Sequence, residues 1–163
     1  MELRGDKVVL RQSSAQDAAE LVRIRDTPEV LEQWGPTNFA EDLADTDVEW
    51  WTVRFGERIV GAVQWYEHDD PDFHHAGMDI FLDPAVHGQG LGTDTVRTMA
   101  RHLVTTLGFH RLVIDPAAAN AAAIACYTKA GFKPVGVMRE YWRDPQGVWQ
   151  DGLLMDLLAA ELR

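Results

Sequence analysis

The chain has 163 residues, of which 46% are apolar and 25% charged, and its formal net charge at pH 7 is −11. This size and composition are typical of one soluble globular domain, residues 1–163, with a sizeable core. No apolar run reaches the roughly 18–20 residues that cross a bilayer, and the first residues lack the apolar segment of a signal peptide. The single cysteine, Cys126, cannot form an internal disulfide and fits a reducing compartment. We therefore expect a cytoplasmic protein without a membrane partner.

The negative charge lies almost entirely in the first half of the chain. Residues 1–83 hold 19 Asp and Glu against 7 Lys and Arg, a net charge of −12, whereas residues 84–163 hold 7 against 8, a net charge of +1. For any one of these carboxylates, solubility is the simpler explanation. A field of this sign nevertheless repels nucleic acid and attracts cations. The pattern argues against a nucleic-acid partner and favours a small cationic substrate.

Hydrophobic periodicity and turn signals predict elements in the order β-α-α-β-β-β-α-β-α-β-β. The strands are expected at residues 7–11, 47–55, 58–66, 77–82, 111–115, 132–141 and 148–158. The helices are expected at 14–25, at 28–33, from the glycine loop described next to about 107, and at 120–130. The third helix is expected to bury Leu107 with its other regularly spaced apolar residues. This order predicts one mixed sheet with helices on both faces.

The strand at 77–82 and the following helix are joined by a loop that ends in His87-Gly88-Gln89-Gly90-Leu91-Gly92-Thr93. Glycine adopts positive φ at little cost and lets a ligand approach the bare backbone. A helix that begins on such a loop presents unpaired N–H groups, and the positive end of its dipole, to an anion. The loop therefore predicts a phosphate-binding site.

Two common phosphate-binding families do not fit this loop. A Walker loop requires a lysine followed by Ser or Thr, and no lysine follows these glycines. A dinucleotide-binding fold has Gly-x-Gly-x-x-Gly after its first strand and an acid about 20 residues further on. Asp115 lies near that distance, but the spacing here is Gly-x-Gly-x-Gly and several elements precede the loop.

At this point the chain resembles the GCN5-related N-acetyltransferases (GNAT). The first signature of that superfamily, Gln/Arg-x-x-Gly-x-Gly/Ala, corresponds here to residues 87–92, and the second, Asn-x-x-Ala-x-x-x-Tyr-x-Lys-x-Gly-Phe, to residues 120–132. The resemblance implies an α/β fold with one mixed, mostly antiparallel seven-stranded sheet and the acetyl-CoA loop between strand 4 and helix 3. It also implies acetyl-CoA as co-substrate and no metal. His87 replaces the usual Gln or Arg, so its contact with the pyrophosphate is expected to be weaker or pH-dependent.

The resemblance and the chemistry of acetyl transfer indicate two catalytic residues. Tyr127 occupies the position of the general acid that protonates the leaving sulfur, although a tyrosine packed beside Phe132 would satisfy the same pattern. Asp79 is disfavoured within a strand and costly to bury unless it is paired or functional, which points to a general base acting directly or through water. The alternative is a capped or edge-exposed aspartate. The implied coenzyme-binding residues are Ile80, Phe81, Leu82, His87, Gly88, Gln89, Gly90, Leu91, Gly92, Thr93, Asn120, Ala123 and Lys129.

Four short stretches are similar to the aminoglycoside 6′-N-acetyltransferases within this superfamily. They are Gln33-Trp34-Gly35, Gln64-Trp65-Tyr66, Met78-Asp79 and the run from Asp115 to Asn120. In that subfamily the aspartate of the last run meets a substrate ammonium, although a turn aspartate is equally compatible with Asp115. The implied substrate-binding residues are Trp34, Gln64, Trp65, Tyr66, Asp79 and Asp115. Aromatic faces and clustered carboxylates suit a polycationic sugar.

The expected function is acetylation of an aminoglycoside 6′-amine, which confers antibiotic resistance, by a monomer or homodimer. Two alternatives stay open: acetylation of another amine (a polyamine, a protein N-terminus or a siderophore precursor) and a non-catalytic coenzyme A sensor. His68, His74 and His75 lie among aspartates, but their spacing lacks a regular zinc pattern. We expect a solvated loop there, which could form one wall of the acceptor site.

Overall fold

The computed structural model describes residues 1–163 and contains eight strands and five α-helices. The strands are β1 (Glu2–Arg4), β2 (Val8–Gln12), β3 (Glu49–Phe55), β4 (Arg58–His68), β5 (His75–Leu82), β6 (Arg111–Ile114), β7 (Lys133–Arg143) and β8 (Trp149–Leu158). The helices are α1 (Ala18–Arg25), α2 (Pro28–Trp34), α3 (Phe39–Asp42), α4 (Leu91–Arg101) and α5 (Ala121–Ala130). One sheet contains all strands in the order β1-β2-β3-β4-β5-β6-β8-β7. Only β5 and β6 pair in parallel.

The predicted mixed, mostly antiparallel sheet is confirmed, but the number of seven strands is wrong. The additional strand, β1, pairs with β2 in antiparallel register, with Leu3 opposite Leu10. It has three residues and only the middle one is even partly buried, so no alternating pattern marks it in the sequence. Helix α3 was not predicted either. The glycine loop consequently lies between the fifth strand and the fourth helix.

Side-chain alternation along β3 divides the core between the two faces of the sheet. Trp51 belongs to the larger core cluster, which includes Val96 and Met99 of α4. Its neighbour Trp50 belongs to a smaller cluster on the opposite face, which includes Leu21 of α1. Helices therefore cover both faces, as predicted.

Helix α4 ends in a wide turn that changes which residues it buries. Residues His102–Thr106 form a π-helical turn, in which the Leu107 N–H donates to the His102 carbonyl at 3.2 Å. The widened turn rotates the residues after it relative to a regular helix. The prediction that Leu107 faces inward is therefore wrong, since its side chain is 44% exposed.

None of the helices is long and apolar enough to span a bilayer.

The parallel pairing of β5 with β6 is short, and this opens the sheet. Only Ala76 and Gly77 of β5 pair with β6, opposite Leu112 and Val113. The rest of β5 remains paired with β4 alone, while β6 pairs on its other side with β8. The two central strands therefore separate toward their carboxyl ends, and a cleft lies between them.

Candidate active site

A cavity of about 700 Å³ occupies the cleft between β5 and β6. Its walls come from α2, the end of β5, the glycine loop with the start of α4, the β6–α5 connection, α5 and β7. This volume is typical of a small-molecule site, and the opening of a sheet between two adjacent strands is a usual place for one.

The glycine loop gives the cavity a helix N-terminus. Gly88 and Gly90 have φ values of +82° and +77°, a region that residues with a Cβ seldom adopt. The first amide bonded within α4 is that of Asp94, which donates to the Gly90 carbonyl at 3.1 Å. The N–H groups of residues 91–93, which line the cavity, therefore have no acceptor within the helix. Together with the helix dipole they can bind an anion.

Helix α5 forms the wall opposite this helix start and packs closely against it. Asn120 is the N-cap of α5, and its side chain accepts the Ala123 N–H at 3.2 Å. A Cβ on Gly92 would lie 3.0 Å from the Cys126 Sγ, so only glycine fits there without a shift. Lys129 of α5 also lines the cavity.

A lysine from the N-terminal region lies beside the glycine loop, although sequence analysis did not assign it to the site. The Asp94 carboxylate accepts the backbone N–H groups of Asp6, Lys7 and Val8 at 2.9, 2.7 and 2.9 Å. The chain held in this way places the Lys7 Nζ 2.7 Å from the Gln89 carbonyl. Lys7 thus adds a positive charge at the anion-binding end.

Asp79 lies on the part of β5 that has separated from β6, and its side chain lines the cavity. Gln64, directly opposite on β4, donates from Nε2 to the Asp79 Oδ2 at 2.9 Å. Burial, and secondly the negative charge of Asp115, raise the pKa of Asp79 to about 6, while the hydrogen bond from Gln64 opposes this shift. The carboxyl group can therefore exchange a proton near neutral pH.

Asp115 follows β6 and lines the same cavity. Burial raises its pKa, and a hydrogen bond from the Tyr141 hydroxyl to the Asp115 Oδ2, at 2.5 Å, acts in the opposite direction. That hydrogen bond, followed by burial, raises the pKa of Tyr141 to about 12. Glu29 of α2 provides a third carboxylate in the lining. Three acidic side chains in one cavity favour a cationic ligand.

Tyr127 of α5 lines the cavity and is only 8% exposed. Burial raises the pKa of its hydroxyl well above the usual range, and the charges of Cys126, Asp79 and Asp115 add to the shift. The hydroxyl is therefore protonated at neutral pH and can act as a proton donor.

Trp34 forms an apolar wall of the cavity at the end of α2. Its ring contacts Phe81 edge-on at a centroid distance of 5.5 Å and lies 6.1 Å from Trp50. The buried guanidinium of Arg25 lies over the same ring, 5.1 Å from its centroid. This cation–π contact helps to fix the orientation of the Trp34 indole.

The structure brings most of the sequence-predicted residues to this cavity. Those that line it are Trp34, Asp79, Ile80, Phe81, Leu82, His87, Gly88, Gly90, Leu91, Gly92, Thr93, Asp115, Asn120, Ala123, Tyr127 and Lys129. Gln89 does not line the cavity and is exposed. Gln64 and Tyr66 do not line the cavity themselves. Gln64 donates a hydrogen bond to Asp79, which does line it. The Tyr66 ring packs over Gly77 of β5 and fills the space of a side chain there, since a Cβ on Gly77 would be 2.2 Å from the ring.

Among the predicted substrate-binding residues, Trp65 lies on the face of the sheet opposite the one that carries Asp79. It lies on β4 between Gln64 and Tyr66, and successive strand residues face opposite sides of a sheet. Its ring therefore packs on the other face, against Phe109 at 5.8 Å. The histidine loop is not a wall of the cavity either: His68 stacks on His75 at 5.0 Å, and His74 bonds to Glu67.

The cavity is also lined by residues that were not predicted from the sequence, namely Tyr141 and Trp142 of β7 and Glu29 of α2. Gln33, which belongs to a stretch noted above but was not assigned to the site, lines it as well. Glu29 lies one helical turn before Gln33, and Gln33 directly precedes Trp34, so a helical wheel could have suggested that face. Nothing in the local sequence of β7 indicates that Tyr141 reaches Asp115.

Comparisons with known proteins identify related sequences and structures. The family model of the acetyltransferase (GNAT) domain matches residues 7–133. Aminoglycoside N(6′)-acetyltransferase type 1 of Klebsiella pneumoniae is 27% identical over 157 residues, covering 82% of this chain and 77% of that protein. N-alpha-acetyltransferase RimI of Mycobacterium tuberculosis is 30% identical over 138 residues, covering 82% of each. The solved structure of AAC(6′)-Ib with ribostamycin and coenzyme A has a TM-score of 0.79 at 26% identity, covering 96% of this chain and 97% of that one.

Proposed function

The chain belongs to the GNAT family of N-acetyltransferases, and from that premise we propose that it transfers the acetyl group of acetyl-CoA to a 6′-amine of an aminoglycoside. The observation that carries the proposal is the meeting, in one cavity, of an anion-binding helix start and the carboxylates of Asp79, Asp115 and Glu29. The first suits the pyrophosphate of the coenzyme, and the second suits a polycationic acceptor. We place the protein in the cytoplasm, where Cys126 stays reduced.

The cavity offers partners for two parts of acetyl-CoA, the pyrophosphate and the chain that carries its amides. The free N–H groups at the start of α4 would bind the pyrophosphate, with Lys7 adding positive charge. Beyond Gly77, β5 has no partner on its β6 side, so the backbone of residues 80–82 can bond to an extended chain that carries amides. His87 lines the same end, and we propose that its contact with the pyrophosphate strengthens when the imidazole is protonated.

The reaction forms a bond between the amine nitrogen and the acetyl carbon and breaks the bond between that carbon and sulfur. Asp79 accepts the proton that the amine loses, directly or through one water, because a pKa of about 6 leaves it ionised yet basic at neutral pH. Tyr127 donates its phenolic proton to the departing sulfur. The proton on Asp79 then leaves to solvent, and Tyr127 is protonated again from solvent.

The carboxylates and Trp34 favour an aminoglycoside over other amines. One ion pair at a wet site contributes little, whereas three carboxylates in one cavity can bind several ammonium groups of one ligand. Trp34 adds a flat face on which a sugar ring can lie. The likeness to RimI supports a second candidate, the α-amine of a protein or peptide.

A panel of acceptors tests the proposed function. We expect thiol release from acetyl-CoA with kanamycin and ribostamycin, and at least tenfold lower kcat/KM with spermidine and with a peptide that has a free N-terminus. The matched control is an aminoglycoside that carries a hydroxyl in place of the 6′-amine, which should give no thiol release. Turnover of peptides without turnover of aminoglycosides would overturn the acceptor assignment. Acetyl-CoA binding without turnover of any amine would favour the sensor alternative.

Replacing Tyr127 with phenylalanine should lower the rate of acetyl transfer by about 10²-fold, the lower part of the range for general acids, because a thiolate is a good leaving group. The ring and its packing are retained, so acetyl-CoA affinity and the melting temperature should stay near those of the wild type. Single-turnover kinetics measure the step directly and avoid masking by slow product release. An unchanged single-turnover rate would show that Tyr127 is a packing residue.

A further inference from the structure

Strand β7 contains a bulge beside the cavity. Met138 pairs with Gly152 and Trp142 pairs with Gln150, so three residues of β7 stand opposite one residue of β8. Within the bulge, Glu140 has a φ of +47°, and it is the one non-glycine residue with positive φ. Its N–H donates to the Asp151 Oδ1 at 2.9 Å. A backbone conformation of this kind costs free energy and persists only where surrounding contacts hold it.

The bulge turns Tyr141 toward the cavity. Its hydroxyl donates to the Asp115 Oδ2 at 2.5 Å, and its ring lies across β8 at Gly152. A Cβ on Gly152 would be 2.7 Å from the Tyr141 ring, so this glycine leaves the space that the ring occupies. The position of Tyr141 thus depends on both the bulge and the missing side chain opposite it.

Asp151 also holds the segment that follows Asp115. The backbone carbonyl of Asp151 accepts the Ala118 N–H at 2.9 Å. Two residues later on β8, the Leu153 N–H donates to the Pro116 carbonyl at 2.9 Å, so β8 is bonded to the segment after Asp115 at two points. Asp151 therefore bonds through its side chain to the bulge that carries Tyr141, and through its backbone to the chain that carries Asp115. One residue outside the cavity connects the two partners of the hydrogen bond.

We propose that Tyr141 is a positioning residue that orients Asp115 toward the acceptor ammonium, and that Asp151 acts through the bulge to keep Tyr141 in place. This inference rests on the proposed function, because it assigns Asp115 to the acceptor. The Tyr141 hydroxyl occupies one lone pair of the carboxylate and leaves the others for a cation. Asp151 thereby determines acceptor affinity without touching the acceptor.

The groups around Asp115 predict the direction of a pH effect. The titratable side chains near enough for the charge of Asp115 to affect them are Asp79 on β5, Tyr66 on β4, Tyr127 on α5 and Tyr141 on β7. Among these, Tyr141 alone donates a hydrogen bond to the carboxylate, and this lowers the Asp115 pKa against the effect of burial. Loss of the hydroxyl should raise that pKa further. Acceptor binding needs the ionised carboxylate. As the pH is lowered, binding should therefore weaken at a higher pH in the variant than in the wild type.

Three variants test the proposal with kanamycin as the acceptor. Tyr141→Phe should raise the kanamycin KM by about tenfold, the effect of one hydrogen bond to a charged group, with a much smaller change in kcat and in the acetyl-CoA KM. Asp151→Ala should reproduce this result, because it removes the acceptor for the Glu140 N–H. Asp151→Asn should restore the wild-type KM, because the amide oxygen can accept the same bond.

A second readout does not depend on the identity of the acceptor. Carbon-13 NMR of the Asp115 carboxyl, without substrate, should show its titration midpoint at higher pH in Tyr141→Phe and Asp151→Ala, and at the wild-type pH in Asp151→Asn. Unchanged midpoints would overturn the positioning role, and failure of asparagine to restore the midpoint would overturn the role of Asp151. If wild-type protein does not acetylate kanamycin while the midpoints shift as stated, the acceptor assignment fails and the positioning of Asp115 stands.

Discussion

Replacing Asp79 with asparagine is expected to lower kcat by about 10²–10⁴-fold, the usual contribution of a positioned general base. Asparagine keeps the shape of the side chain, and its amide oxygen can still accept the hydrogen bond that Gln64 donates to Asp79. It cannot accept a proton from the amine. Acetyl-CoA affinity, measured by calorimetry, should stay within about twofold of wild type, because in the proposed reaction this carboxylate contacts the acceptor amine and not the coenzyme.

The control for this variant is Asp72→Asn, which removes the same charge from an exposed position in the β4–β5 connection. Its kcat should equal that of the wild type, which separates the loss of a base from a general change of charge. Stability offers a further check. Since burial raises the pKa of Asp79, its ionised form is disfavoured in the folded protein, and the neutral asparagine should not lower the melting temperature. If Asp79→Asn retains the kcat of the wild type, Asp79 is not the general base.

The pH dependence follows from the same group. A base must be deprotonated to act, so kcat/KM should decrease as the pH falls through about 6, the pKa of Asp79. Asp115 has a raised pKa as well and interacts with Asp79, so the acidic limb reports the pair rather than one residue. In Asp79→Asn the contribution of Asp79 to this limb should disappear and leave that of Asp115.

The helices around the site were predictable because local chemistry marks their ends. Asn120 caps α5 with its side chain, and Gly131 ends it at a φ of +110°, as their positions in the sequence indicated. The start of α4 was marked by glycines in the same way. Strand β1 was not predictable, because its three residues form a strand only through pairing with β2. Pairing between distant segments leaves no pattern in so short a stretch.

The faces of the site residues were less predictable than their elements. Period-two alternation alone implies that Trp65 lies on the opposite side of β4 from Gln64, so its absence from the cavity could have been inferred once Asp79 was placed opposite Gln64. The position of Tyr141 could not have been inferred from strand alternation. Tyr141 reaches Asp115 through a bulge whose central residue, Glu140, is neither glycine nor asparagine, the residues that usually signal positive φ. That contact depends on the tertiary structure.

Replacing Gly90 with valine should reduce acetyl-CoA affinity by about 100-fold or more, as expected for the loss of one or two hydrogen bonds to a charged group. Gly90 has a φ of +77° directly before α4, and a β-branched residue strongly disfavours this region. A Cβ there would also lie 3.2 Å from the Lys7 Nζ, the cation beside the loop. The Lys7 side chain can move aside, but relief of the φ strain requires the backbone at the start of α4 to move, and its N–H groups would then no longer point at the proposed pyrophosphate position.

Gly136→Val provides the matched control, because Gly136 lies on β7 without positive φ and no atom lies within 4 Å of the position of its Cβ. Both variants should unfold cooperatively, since neither residue belongs to the buried core, and only the Gly90 variant should lose affinity in a calorimetric titration with coenzyme A. A dissociation constant within about threefold of wild type for Gly90→Val would refute the phosphate-binding role of the loop. Equal losses in both variants would mean that valine disturbs the fold rather than the site. A loss confined to Gly90 would instead tie binding to the backbone geometry at the start of α4, where residues 91–93 have free N–H groups.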